Sequence, residues 1–509
     1  MNEPVTCGTC VIGSGPAGAI VALELAAAGE DVLLVEAGNR DPGAAAKATI
    51  DRLDVAGNAD LQFGRAFQVG GSSNLWAGRV APFEAIDFDH REWMADTRWP
   101  FSRDALASGY SRAFALMGLA EDPGITVPER PEGLKQAIAS DGFELKSFAW
   151  SKPPFNIGEI VKAKGDRPGG PRLMLDAPVV ALRENADATA IEFAEVARPD
   201  GSRARIQARR YVLAAGGLEV PRLLLASNHV RQAGIGNAHD LVGRYFSTHP
   251  KADMAALVLR RGVGVHHPLY SDQRIGPTLA RAGIGFTAEF QRRHQLPNHY
   301  VQLSPLLEFQ SSKAFERARG SSAIASPLIE KNKVMRKLLP SLGLLAFEAI
   351  GKLAGLQLRA RTFILRGFLD QIPDATHRVT LSGKRDANGV PLIDIAWRLT
   401  EEDRASILRF FELLDGVVRA RGIGHVEFGG LKAQGDWPIT AIHSHFMGTT
   451  RMADDPRQGV VDADCKVHGT ANLYIAGPSV FPTYGYSNPF LTIAAVSYRL
   501  ADHLLGRDR

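Results

Sequence analysis

Val11-Ile12-Gly13-Ser14-Gly15-Pro16-Ala17-Gly18 is the stretch that decides the fold. An apolar run ends at Ile12, a glycine turn follows, and AIVALELAAAG continues as an alanine-rich helix to Gly29. DVLLVEAG then reads as a second strand ending at Glu36. Strand, G-x-G-x-x-G, helix, strand and acid, in that order, make a dinucleotide-binding unit. Gly13 permits the tight turn, Gly15 lets the backbone approach a pyrophosphate, and Gly18 lets the helix pack on the strand. The helix N-terminus offers amide donors and the positive end of its dipole to the phosphates. Glu36 stands 18 residues after Gly18, where it can accept from a ribose diol and repel a 2′-phosphate, so an unphosphorylated adenosine half is implied. The triplets Gly283-Ile284-Gly285 and Gly422-Ile423-Gly424 lack such flanks, which is why the motif counts only in its context.

The remaining composition is that of an ordinary folded protein. Of 509 residues, 45% are hydrophobic and 22% charged, and the net charge of +4 is too small to argue for a nucleic-acid binder. The length suits about three domains or one large two-part enzyme. Three cysteines cannot build a disulfide framework in such a chain, so a reducing compartment is expected. MNEPVTCGTCVIGSG lacks the basic start, apolar core and cleavage site of a signal peptide, so the expected location is the cytoplasm. No apolar stretch approaches the roughly 18 residues that a membrane span needs. Cys7 and Cys10 form a C-x-x-C on the first strand. Their offset of three predicts opposite faces, hence two buried strand positions rather than a metal or redox pair, and no metal site is expected.

Further along, Gly70-Gly71-Ser72-Ser73-Asn74 is too rich in glycine and serine for a helix and reads as a tight loop with exposed amides. A helical region over 91–120 carries Trp93, Trp99 and Tyr110. Residues 173–183 and 188–215 alternate as a β-meander that ends at Gly216-Gly217, with the helix EVPRLLLAS behind it. The last stretch, 472–505, reads strand, loop and long apolar helix. No second nucleotide-binding fold appears, and the final strand and helix look as if they return to the first unit. The expected organisation is α/β: a Rossmann-like cofactor domain from 1–90, 161–250 and 436–509, with a substrate domain inserted from 91–160 and 251–435.

Six stretches, in order, match one family: VIGSGPAG with LLVEAG, GGSSNLWAG, RRYVLAAGGLEVPRLLLAS, VGRYFSTHP, HFMGTTRM and NLYIAGPSVFPTYGYSNPFLTIAA. Over nearly its whole length the chain resembles the glucose–methanol–choline (GMC) oxidoreductases, flavin enzymes that oxidise alcohols. HFMGTTRM and the NP-containing C-terminal motif are more similar to the branch of pyranose oxidase and bacterial sugar dehydrogenases than to choline oxidase. The resemblance implies FAD, with its isoalloxazine between the cofactor domain and a substrate domain built on an antiparallel sheet. By the same resemblance Gly13, Gly15, Gly18 and Glu36 hold the adenosine diphosphate half, and Gly70, Gly71, Ser72 and Asn74 approach the flavin. Val180 offers its backbone to the adenine, and Gly477, Ser479, Val480, Asn488 and Pro489 return near the pyrophosphate and the pyrimidine edge. Relatives that tether FAD carry a histidine immediately before the tryptophan. Here that position is Leu75, before Trp76, so non-covalent FAD is expected.

Alcohol oxidation needs a base for the hydroxyl proton and an acceptor for the hydride. A neutral histidine suits the first role near pH 7. The family's H-x-x-G-T falls on His445, with Gly448 and Thr449, and the second catalytic position falls on Asn488, 43 residues on. Asparagine can orient a hydroxyl but cannot be a base, so the base is expected to be His445. His443 is the next candidate, His249 reads as a turn and packing residue, and Arg451 as a brace of the loop. Tyr484 and Tyr486 suit either a pocket wall or the core. The expected activity is an FAD-dependent dehydrogenase of a small-molecule alcohol, sugar, glycoside or polyol. The rivals are an oxygen-using oxidase and a non-redox flavin lyase, and the electron acceptor is left open among a quinone, a redox protein and oxygen. Finally, 331–366 is basic and apolar, broken by Pro340 and Gly343. It reads as a buried helical insert, with a lid, an oligomer contact or a peripheral membrane contact as alternatives.

Overall fold

The computed structural model describes residues 3–41, 65–94, 98–121, 142–265, 267–306, 359–429, 431 and 444–507. In chain order its strands are β1 (Val5–Ile12), β2 (Val32–Val35), β3 (Phe143–Trp150), β4 (Arg172–Met174), β5 (Val179–Glu184), β6 (Ile191–Ala197), β7 (Arg203–Leu213) and β8 (Lys251–Gly264). There follow β9 (Gln273–Ile275), β10 (Thr278–Phe286), β11 (Tyr300–Leu306), β12 (Arg359–Phe368), β13 (Arg378–Arg385), β14 (Pro391–Ala396), β15 (Gly424–Glu427) and β16 (Leu473–Ile475). The main helices are α1 (Pro16–Ala27), α2 (Ala107–Met117), α3 (Ile157–Lys164), α4 (Gly216–Ala226), α5 (Glu401–Ala420) and α6 (Phe490–Leu504).

The first sheet runs β4-β2-β1-β7 in parallel. β7 is long enough to take two partners on its far side. Its start pairs antiparallel with β6, which continues to β5, and its end pairs parallel with β16. The last strand therefore returns to the first unit, as its position before an apolar helix predicts. Pro16 opens α1, where its fixed φ suits the first helical position. α1 is apolar almost all round, and such a helix must be covered on both sides. It lies against β1 and β2 and, on its other flank, against α6. α2 packs on α6 in the same core through Tyr110, Ala113, Phe114 and Met117. Within 91–160, α2 thus belongs to the parallel unit and β3 to the second sheet.

The second sheet is antiparallel, ordered β15-β8-β12-β11-β10-β3, with β9 on β10. α5 covers one face. Thr400 caps it, accepting from the Asp403 amide at 3.0 Å while the Asp403 carboxylate answers the Thr400 amide. Ile407, Phe410, Phe411, Leu414 and Val418 then pack on Phe143, Phe286, Leu303 and Phe363. Strand alternation sends Val301 and Leu303 to that core and Tyr300 to the opposite face, where it meets Phe148, Phe368, Ala81 and Tyr486. This second face looks toward the candidate site.

Two expectations change. At Gly8 the ladder is doubled: the amides of Gly8 and Thr9 both donate to Asp31 O, each at 3.0 Å. The Cys7 and Cys10 thiols, both buried, interact instead of standing on opposite faces, which lowers the Cys7 pKa and raises that of Cys10. Residues 359–366, read as the end of a helical insert, form most of β12, between β8 and β11. Their Arg-x-Arg alternation, with Ala360 and Phe363 buried, is a strand pattern that the preceding apolar run obscured. Residues 331–358 lie outside the described residues.

Candidate active site

Three loops meet at the N-terminus of α1. A Cβ on Gly13 (φ 103°) would lie 2.7 Å from Ala214 O, and one on Gly18 would lie 1.9 Å from Gly13 O. These two glycines are therefore demanded by the fold itself. Gly15 differs: a Cβ there would meet nothing within 4 Å. Gly71 sits so near that its Cβ would be 2.9 Å from Gly15 Cα, the Gly70 amide donates to Ser14 O at 3.2 Å, and Gly477 (φ 125°) faces Ala17. Asn74 holds the second loop by donating to Val69 O (3.1 Å) and Gly71 O (2.8 Å), while Ser72 is exposed. No side chain caps α1, so its first-turn amides keep their donors. Open space at Gly15, uncapped amides and a glycine-lined approach fit a pyrophosphate.

Glu36 lies buried beneath this cradle. Its Oε2 accepts from the Ser14 amide (3.0 Å) and hydroxyl (2.6 Å), and its Oε1 from the Gly38 amide (3.0 Å). Burial pushes its pKa up, against the pull of those donors. Glu36 thus ties the glycine turn to the end of β2. Gly216 (φ 80°), at the end of β7, also has open space around a Cβ and adjoins the cradle through Ala214. Sequence reading took it only as the end of a strand. Val180 stands apart from the three loops: it lines a cavity with Ala226, His229, Leu381 and Pro391.

The third loop links this cradle to His445. The Thr450 and Met452 amides donate to Ser479 O and Val480 O, each at 2.8 Å. Ser247 and Met447 exchange both backbone hydrogen bonds, at 3.1 and 3.0 Å, and so lay residues 247–249 beside 445–447. Thr449 Oγ1 donates to Gly217 O at 2.8 Å, and Gly448 (φ 82°) leaves no room for a Cβ beside Tyr245 O. His445 itself has φ 65°, a conformation that costs a non-glycine residue on the order of 1–3 kcal/mol and persists only where its surroundings enforce it.

The hydrogen bonds fix both imidazoles. His249 Nε2 lies 2.8 Å from Gly485 O, a carbonyl that can only accept, so Nε2 carries the proton. His249 Nδ1 is then an acceptor, and it lies 3.0 Å from His445 Nδ1, which must donate. His445 is left with a lone pair on Nε2. Burial, then the nearby Lys251 ammonium, hold His249 down to about 3, and burial, Lys251 and His249 hold His445 well below the ordinary histidine value. Both rings are neutral at pH 7.

Asn488 stands beside them. Its Oδ1 accepts from Lys251 Nζ at 2.9 Å and its Nδ2 donates to Arg79 O at 2.8 Å, leaving one amide N–H. From 479 to 498 every residue is buried except Asn488, and His445 likewise keeps accessible surface at the start of the buried run 446–452. Both candidate catalytic side chains thus keep accessible surface, and Lys251 lies close to both. Pro489 precedes α6 and, like Ser479 and Val480, is buried. Tyr484 and Tyr486 prove to be core: the first donates to Gln371 O at 3.0 Å, the second to Glu84 Oε1 at 3.1 Å while stacking on Tyr300. The buried Arg451 places its guanidinium over the Tyr245 ring at 4.3 Å. His443 lies outside the described residues. Lys251 and Arg79 were missed; strand parity was the available signal for Lys251, since 249 and 251 share a face.

Residues 373–497 match the GMC oxidoreductase family, and they include His445, Gly477 and Asn488. That stretch carries the C-terminal domain of the GMC oxidoreductases. Over 343 residues it is 28% identical to the fructose dehydrogenase large subunit of Gluconobacter japonicus, covering 66% of this chain and 54% of that one, so the match spans about half the relative's length. Over 557 residues it is 25% identical to paromamine 6'-oxidase of Streptomyces fradiae, covering 97% and 91%. The fold is also that of pyridoxine 4-oxidase from Mesorbium loti, with a TM-score of 0.60 at 18% identity over 98% of this chain and 99% of that one.

Proposed function

We propose that the protein is an FAD-dependent dehydrogenase that oxidises a hydroxyl group of a sugar, glycoside or polyol. The observation that carries this reading is the lone pair on His445 Nε2, set by the His249 relay, with Asn488 joined to the same group through Lys251. Gly13, Gly15, Gly18, Gly70, Gly71 and Gly477 would hold the cofactor's diphosphate and flavin, with Glu36 in reach of the ribose and the parallel unit as the cofactor half. Bound there, FAD supplies the two-electron acceptor for a hydride. His445 Nε2 takes the hydroxyl proton, and the remaining amide N–H of Asn488 orients the hydroxyl oxygen. The alcohol loses one proton to His445 and one hydride from its carbinol carbon, and becomes a carbonyl compound. Leu75, 54% exposed in the second loop, has no atom that can bond to a flavin, so FAD is held without a covalent link.

Anaerobic mixing with a panel of sugars and polyols tests this. The expected result is bleaching of flavin absorbance, with FAD released into solution by acid or heat. Flavin that no hydroxyl compound bleaches would overturn the activity, and flavin retained through denaturation would overturn the non-covalent mode. An oxidase is the second reading, favoured by the nearly full-length likeness to paromamine 6'-oxidase. Turnover in air against turnover with a quinone or dye separates the two.

A further inference from the structure

We propose that the hydroxyl substrate carries an anionic group, a carboxylate or phosphate ester, which Lys251 and Arg79 take up beside His445 and Asn488. The inference rests on the alcohol-oxidising reading and names the substrate class for that site.

Lys251 opens β8 deep in the molecule yet keeps accessible surface. An ammonium has three donors, and its side-chain hydrogen bond goes to a neutral acceptor, Asn488 Oδ1. Arg79 lies against the same asparagine through its backbone carbonyl, and its guanidinium sits over the Trp150 ring at 4.5 Å. Among the described residues neither cation pairs with a carboxylate. This departs from four other enclosed cations. Arg91 pairs with Asp370, Arg65 with Glu219, Lys146 with Glu84 and Arg222 with Asp386, at 2.6–2.8 Å. Two neighbouring cations without a counter-charge cost desolvation and mutual repulsion, and a bound anion relieves both.

The chemistry gains as well. A proton passed from the substrate hydroxyl to His445 Nε2 creates a third positive charge in this pocket. A carboxylate on the substrate lowers the local charge before that transfer, and so eases imidazolium formation. The electron balance is unchanged: the hydride leaves the carbinol carbon for FAD, and the anionic group remains on the product.

Matched pairs on the FAD-loaded enzyme test the proposal: sorbitol against gluconate, and glucose against glucuronate and glucose 6-phosphate. The expected result is a preference of about tenfold or more in kcat/KM for an anionic member, since hydrogen bonds to charged groups are the stronger ones. Lys251→Met and Arg79→Met should each cut that preference about tenfold, while Lys251→Arg keeps most of it. A readout without turnover is the perturbation of the flavin spectrum by acetate or by inorganic phosphate, whose Kd should rise in the Met variants. Equal use of neutral and anionic members, with the ratio unmoved by either Met variant, would overturn the proposal. If acetate or phosphate binds through these cations but no hydroxyl compound bleaches the flavin, the oxidising reading fails and the anion site stands.

Discussion

The two sides of the candidate site are built from different material. On the parallel-sheet side the wall is backbone: Gly13, Gly15 and Gly18, the Gly70-Gly71 loop and Gly477, shaped by what a Cβ would strike. The catalytic group is built instead of side chains drawn from far apart in sequence, namely Arg79, His249, His445 and Asn488 with Lys251 from the antiparallel sheet. A backbone wall can grip a cofactor that is always the same. A side-chain wall holds the protons and charges that choose a substrate and move its atoms. Substitutions on the first side should therefore act on cofactor retention, and those on the second on rate and selectivity.

The sharpest test of that division is His445→Ala. Its expected effect is a slowing of anaerobic flavin reduction by on the order of 10²–10⁴, the usual share of a general base, with FAD content unchanged. In the unsubstituted enzyme, burial and Lys251 keep the ring neutral well below the ordinary value of about 6.5. Activity lost to His445 protonation should thus set in only at pH values clearly below that. Near-normal reduction by the variant in stopped-flow traces would place the base elsewhere.

His249 should come next. His249→Leu removes the acceptor for His445 Nδ1, and loss of one hydrogen bond to a ring that becomes charged corresponds to about 10–100-fold in rate. His249→Asn puts an oxygen near the former Nδ1 and should recover much of it. If Leu and Asn behave alike in flavin reduction and leave its pH profile in place, His249 only fills space.

These two histidines show what was legible and what was not. His445 lies in a contiguous motif, and its turn, Gly448 and Thr449 travel with it along the chain. The glycine cradle was legible for a similar reason, because β1, the turn, α1 and β2 are consecutive. The role of His249 depends on Ser247 pairing with Met447 across 200 residues, and on Gly485 O arriving from a third segment. Nothing local marks such a contact. Lys251 was harder still, since a lysine at the start of a strand is ordinarily solvated. The Cys7–Cys10 contact was not legible because strand alternation alone sends residues three apart to opposite faces.

On the backbone side, Gly15→Ala and Gly18→Ala should separate binding from folding. The Gly15 Cβ meets no protein atom, so the fold should persist while FAD binding weakens by about tenfold, equivalent to about 1.4 kcal/mol. The Gly18 Cβ would collide with Gly13 O, so that variant should lose stability even without cofactor, on the overpacking scale of about 1–3 kcal/mol. Thermal melts with and without added FAD check both. Equal losses of stability in the two cofactor-free proteins would break the distinction.

The smallest expected effect is on the side-chain wall, at Lys251. Burial, and then Arg79, push its ammonium down to about 7, whereas an unfolded chain keeps the proton up to about 10.4. Between those values the unfolded chain binds a proton that the folded one lacks, so this residue makes folding progressively less favourable as pH falls from about 10.4 to 7. Below the folded value the penalty is constant, and above the unfolded value it is absent. Lys251→Met should therefore raise Tm by a few degrees at pH 6 and by much less near pH 10. The gain is kept modest because the group retains contact with solvent, which screens its charge. An equal gain at both pH values would trace to packing of the methionine rather than to a charge held without a partner, and would put Lys251 on the same footing as the paired cations elsewhere in the fold.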